Sequence, residues 1–268
     1  ILDLAGSTQT VGTLITSNGT NTVYLGAGTL NLAAANGTYT DTIVGNMNAS
    51  AVNVTGGSWF LGRALAINGP TLSVAAGTSV SLEDGTSNNV LADTTRLVLN
   101  GTLQFGSSQT QGEALGSLSG SGVVELGTIG RTLSLTSNAA TFFSGTVNGD
   151  ASSTFALNGG RMTLNGAAVV NTTMRVGGGA TLRLDPVAAP DYLRAGLVLA
   201  GGKIDLSGSG GVEDVTNTTI LEGASAIRQL PGTSAISLGS ITRASRGGSL
   251  LVTGQGATTT SVGNGTGI

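Results

Sequence analysis

Apolar residues along this chain alternate with Thr, Ser and Asn in bursts of four or five positions, and Gly or Asn-Gly breaks most of the bursts. Alternation of period two is the signature of a strand with one buried face, whereas no window carries the 3.6-residue apolar stripe of a helix. Leu97 and Leu99, then Asn100-Gly101, then Leu103 and Phe105 form one unit of strand, glycine corner and strand. The unit returns at Phe155/Leu157 before Met162/Leu164, at Met174/Val176 before Leu182/Leu184, and at Leu197/Leu199 before Ile204/Leu206. Leu65 to Ile67, then Asn68-Gly69, then Leu72 to Val74 form the same unit, and a looser copy has Val52/Val54 before Trp59/Leu61.

Corner glycines 101 and 120 are 19 residues apart, as are 159 and 178, while 178 and 201 are separated by 23. A repeat of about 20 residues cannot bury its own apolar face and must stack on its neighbours, which makes a solenoid. A propeller blade needs roughly twice that length and aromatic anchors that are missing here. The expected fold is therefore all-β, a right-handed parallel β-helix with coils of about 20 residues. Residues 1–268 are expected to form a single segment of about 13 coils.

Composition sharpens this picture. Charged residues make up 9% and aromatics 3% of the chain, against a hydrophobic fraction of 39% and a mean hydropathy of +0.27. That is too apolar for disorder, and the apolar part is aliphatic, suited to a narrow repetitive core. Eleven Lys and Arg against 14 Asp and Glu, with no basic cluster, give a phosphate backbone nothing to grip, so no nucleic-acid partner is expected. The lack of Cys suits a bacterial extracellular protein that crosses an outer membrane unfolded. A chain running from Ile1 to Ile268 without a start Met reads as a fragment of a longer surface protein.

Chemistry has little to work with. Without His or Cys there is no Ser-His-Asp triad, no Cys nucleophile and no ordinary zinc site, and no catalytic residue, metal or cofactor is expected. Glu83-Asp84 and Glu213-Asp214 are adjacent acids; neighbours in a strand point to opposite faces, and both pairs read as solvated turn residues. Asp185 and Asp205 come nearest to a pair on successive coils. Eight Asn-X-Thr/Ser sequons, four of them Asn-Gly-Thr, are explained by turn chemistry. Tyr24, Tyr39, Trp59 and Tyr192 are the candidates for a sugar-stacking platform, but Trp59 falls at an inward position. Segments 86–93, 109–113 and 185–194 break the alternation. The last, with Pro186, Pro190, Asp185, Asp191, Tyr192 and Arg194, is the best candidate for a protruding binding loop.

Residues Gly160 to Leu184, GRMTLNGAAVVNTTMRVGGGATLRL, place Met162, Leu164, Asn165-Gly166, Thr172-Thr173-Met174 and Gly178-Gly179-Ala180-Thr181-Leu182 in a recurring order. In that order the stretch resembles the autotransporter-associated β-strand repeat of bacterial type V secreted passengers. The opening ILDLAGSTQTVGTL and the phrase SGSGVVEL near Leu118 to Leu126 are similar to other phrases of such proteins. The aromatic that precedes the linker in that family is replaced by Ala168, Val169 and Val170. The resemblance implies a β-helix on the outside of a bacterial cell, exported through an outer-membrane translocator barrel, and it carries no catalytic residues. The expected role is a stalk, fibre or adhesin segment that stacks end to end with copies of itself and meets surface glycans or host surfaces. The alternative is a carbohydrate-binding or carbohydrate-active β-helix, whose mark would be acids with Arg or Lys on one face over three successive coils.

Overall fold

The structure, a computed structural model, describes residues 1–12, 14, 21–33, 36–46, 49–62, 66–83, 89–107, 112–185, 191–208, 211–232, 235–244, 246–254, 257–258 and 261–263. Leu65, Asp84, Gln109, Pro186, Pro190 and the sequon residues Asn18, Asn48 and Asn264 lie outside the described residues. Among those described there is no helix, and the strands pair in parallel, with one isolated antiparallel bridge between Gly177 and Gly201. The chain falls into two compact units, Ile1–Thr136 and Ser137–Ile268.

In the first unit the longest sheet stacks Thr8–Val11, Thr29–Leu32, Ala51–Val54, Thr71–Val74, Arg96–Leu99 and Ser117–Gly120 in chain order. A second sheet runs through Asn36–Tyr39, Ser58–Leu61, Ser79–Leu82, Thr102–Phe105 and Val123–Glu125. Two smaller sheets complete the coils: Leu2–Asp3, Thr22–Gly26, Thr42–Gly45 and Ile67–Asn68, and then Glu113–Leu115 with Thr132–Leu135.

The second unit repeats the plan. One long sheet stacks Ala140–Phe143, Arg161–Asn165, Thr181–Asp185, Lys203–Gly208, Gly223–Gly232 and Gly248–Thr253. Another holds Thr154–Leu157, Thr173–Gly177, Leu197–Ala200, Asn217–Ile220, Ser240–Arg243 and Ser261–Gly263. Short sheets of Thr146–Asn148 with Val169–Val170, and of Val212–Asp214, Ala235–Ser237 and Ala257–Thr258, fill the remaining side.

Successive strands are consecutive turns of one winding. Thr8 lies beside Thr29, then Ala51, Thr71, Arg96 and Ser117, in steps of 21, 22, 20, 25 and 21 residues. In the second unit Ala140, Arg161, Thr181, Lys203, Ala226 and Leu251 follow at steps of 21, 20, 22, 23 and 25. The fold is thus an all-β parallel solenoid with turns about 22 residues apart. The expected repeat of about 20 residues thus holds, and the turns run slightly longer than the glycine spacing because the corner glycines are not equivalent places. Gly120 ends a strand as the partner of Leu99, whereas Gly122 stacks on Gly101.

Registry puts like on like. Leu30, Val52, Leu72, Leu97 and Leu118 form one inward column, and Met162, Leu182, Ile204 and Ile227 another, all buried. A one-residue slip would turn every such column outward, so the alternation itself fixes the register. Outward columns are tied by polar ladders. Asn53 Nδ2 donates to Asn31 Oδ1 at 2.9 Å, Asn31 Nδ2 to Thr10 Oγ1 at 3.2 Å, and Asn171 Nδ2 to Asn148 Oδ1 at 2.8 Å. Gly178 shows what a corner demands: its φ is +57°, and a Cβ there would run into the carbonyl oxygen of Asn158.

Candidate functional site

Of the segment singled out by sequence, 185–194, the structure describes Asp185, the last residue of the strand Thr181–Asp185, and residues 191–194. Asp185 is half-buried, with Oδ1 3.0 Å from Ser207 Oγ, and its backbone carbonyl accepts a hydrogen bond from the Tyr192 hydroxyl at 2.9 Å. Arg194 is exposed, and its N–H donates to the Val170 carbonyl at 3.0 Å. Tyr192 is 0% exposed, so its ring belongs to the core and not to a binding surface. Burial first, then the charges of Asp185 and Glu213, push its hydroxyl up to about 12. Leu193, also buried, forms a single parallel bridge to Val170.

Sequence reasoning missed the residue that organises this place. Glu213 is 4% exposed, while Val212 and Asp214 on either side of it are exposed. The two adjacent acids do point to opposite faces as expected, but the inward one is not solvated. Its Oε1 accepts the backbone N–H of Leu193, and the N–H of Tyr192 also bonds to its carboxyl. Asp191 meets the same carboxyl. Oε2 of Glu213 and Oδ1 of Asp191 are both buried without a hydrogen-bond partner. Burial outweighs the two backbone bonds and, with the neighbouring Asp191, pushes the Glu213 carboxyl up to about 7. The signal available in the sequence was parity alone: an acid standing where the alternation demands an apolar side chain.

The position of Glu213 has a structural cause. Leu193 is the last rung on the sheet of Val169–Val170, and the next coil opens a different sheet at Val212–Asp214. N–H groups that would meet the carbonyls of a following strand find a carboxylate instead. The first unit does the same where the bridge Ile67 to Leu91 ends a sheet and Glu113–Leu115 begins another. Glu113, 2% exposed, accepts the N–H of Val90 at 2.9 Å and of Leu91 at 3.0 Å, one on each oxygen.

A second place gathers charge on the outer face of the long sheet of the second unit. One outward column reads Ala140, Arg161, Thr181, Lys203 and Ala226, and its neighbour reads Phe142, Thr163, Arg183, Asp205 and Arg228. Asp205, nearly buried, takes both ends of the Arg228 guanidinium at 2.8 Å each, which raises the Arg228 pKa. Arg183 Nε donates to Ser207 Oγ at 2.9 Å. Arg161 and Lys203 are exposed and have no ion-pair partner among the described residues. Phe142, 60% exposed, sits diagonally from Arg161. Asp205 pairs in register with Arg183, not with Asp185, so the two aspartates do not form an acid pair.

Of the four aromatics considered as a platform, Tyr39, Trp59 and Tyr192 are buried and only Tyr24 is exposed. No group of three or more Asp or Glu that could hold a metal ion occurs among the described residues. Neither a family model, a curated protein nor a solved structure matches the chain.

Proposed function

We propose that this chain is a structural or adhesive β-helical segment of a bacterial surface or secreted protein, working as stalk, fibre or passenger and not as an enzyme. The observation that carries the reading is the investment of the sequence in stacking. Inward columns are mainly aliphatic in both units, and outward Asn, Thr and Ser side chains bond to the rung above or below. Each coil thereby depends on its neighbours, which suits a part whose work is to extend and to resist unfolding. Residues that carry the resemblance to passenger repeats, Met162, Leu164, Met174 and Leu182, are core residues of these columns. Export through an outer-membrane barrel, end-to-end association of copies and residence on the cell surface belong to this reading.

Immunogold labelling of intact cells that make the protein tests it. Label on the cell exterior, removed by protease added to whole cells, is the expected result. Label confined to the cell interior overturns the reading.

The alternative of a carbohydrate-binding β-helix is favoured by one observation: Arg161, Arg183, Lys203 and Arg228 with Asp185 and Asp205 share one face over successive coils. Coils rise about 4.8 Å apart, so Arg161 and Lys203, two rungs apart, stand about 10 Å from each other along the face. A linear polymer with regularly spaced carboxylates fits that spacing, with a sugar ring against Phe142. Polygalacturonate is expected to bind at low salt and neutral dextran not to bind. The double variant Arg161→Glu/Lys203→Glu should lose at least tenfold in affinity. Equal binding by the variant would remove this reading.

A further inference from the structure

The two sheet breaks use the same device with one difference, and the difference is chemical. In the first unit the two amides held by Glu113 follow Asn89; in the second the two amides held by Glu213 follow Asp191. An Asn side chain always offers N–H donors, whereas an Asp side chain donates only when protonated. Asp191 and Glu213 are two carboxyl groups in contact, and each keeps one buried oxygen without a partner. One proton shared between the two carboxyls would remove their repulsion. Two negative charges in the same buried space would repel, with no proton to bridge them.

We propose that Asp191 and Glu213 form a proton-operated latch, in which one shared proton holds segment 191–194 against the strand Val212–Asp214 and its loss loosens that segment. The surroundings are arranged for such a switch. Asp185, at the end of the strand Thr181–Asp185, and the Tyr192 hydroxyl are the other ionisable groups facing the pair, and Tyr192 stays neutral through the physiological range. Asp214 points to the opposite, exposed face. Ile236, in register with Glu213 on Ala235–Ser237, and Val170, beside Leu193, are apolar, and from Lys203–Gly208 comes the neutral Ser207. Arg194 is exposed, and among the described residues no cation acts on the Glu213 carboxyl. Residues 186–190 and 209–210 contain no ionisable side chain.

The direction follows from the raised acid. Glu213 holds its proton up to about pH 7 in the folded chain, against an ordinary value of 4.5. The latch is therefore complete below about pH 4.5 and is lost as pH rises through about 7.

Hydrogen exchange of the full chain, followed by mass spectrometry at pH 5.5 and 8.5 and corrected for intrinsic rates, separates the two breaks within one molecule. The expected result is at least tenfold faster exchange of the 191–194 amides at the higher pH, with 89–92 unchanged. Asp191→Asn, which rebuilds the second break with the residue of the first, should keep the segment protected at both values. Equal responses of the two segments in the unsubstituted chain would overturn the latch, and so would a pH response that survives in a folded Asp191→Asn protein. Should that variant fail to fold, the comparison of the two segments in the unsubstituted chain decides alone.

Discussion

Replacing Trp59 by Ala is expected to destabilise the first unit by about 3–5 kcal/mol, the range for emptying a large aromatic site in a core. Trp59 is among the largest fully buried side chains and is the only tryptophan. It stands in register between Gly37 and Val80, and a Cβ at Gly37 would overlap its ring, so the coil before it has been emptied to make room. Its Nε1–H donates to the Gly56 carbonyl at 2.9 Å, which satisfies the one polar atom of the indole. The cavity left by truncation cannot collapse easily, because hydrogen-bonded rungs hold the coils on both sides at fixed spacing. Phe60, next in sequence, faces outward and is exposed, so Phe60→Ala should change stability by no more than about 0.5 kcal/mol. Urea unfolding followed by far-ultraviolet circular dichroism measures both. Equal losses for the two variants would mean that the indole does not hold the unit together.

That contrast also shows how much of the molecule could be read from sequence. Alternation assigned Trp59, Leu61, Leu97, Leu99, Leu103 and Phe105 to the inside, and each is buried. Parity is a local property, fixed by the pleat of the strand, and a single sequence displays it directly. The spacing of coils is not local, since residues added at corners lengthen a turn without disturbing parity. The 25-residue steps from Thr71 to Arg96 and from Ala226 to Leu251 are two such cases.

The candidate loop is read in the sequence from Pro186, Pro190 and a broken alternation, and both prolines lie outside the described residues. Composition makes Tyr192 look like a surface contact, but its ring is core. Glu213 was assigned to solvent because isolated acids usually are solvated. What reverses that prior is the ending of one sheet beside the start of another, an arrangement of coils that no stretch of sequence spells out. The partner groups of Glu213 lie 20 and 21 residues away, at Leu193 and Tyr192.

Removal of the other buried glutamate, Glu113→Ala, is expected to cost about 2–6 kcal/mol, because two buried amides, those of Val90 and Leu91, lose their acceptor at once and each orphan costs about 1–3 kcal/mol. The first unit treats the opposite problem with the opposite charge. Arg131, almost wholly buried, donates from its two terminal nitrogens to the carbonyls of Leu126 and Gly106 at 2.7 Å each and of Phe105 at 3.4 Å. Where strands stop, the solenoid thus completes orphaned amides with a carboxylate and orphaned carbonyls with a guanidinium. Glu113→Gln separates the two parts of the effect: it keeps one strong acceptor and the volume of the side chain, and should lose about half as much as Glu113→Ala. Amide exchange at Val90 and Leu91 reports the local break and urea unfolding the global cost. A loss below about 0.5 kcal/mol for Glu113→Ala, the level of an ordinary surface change, would show that the sheet break is held by packing and not by the carboxylate.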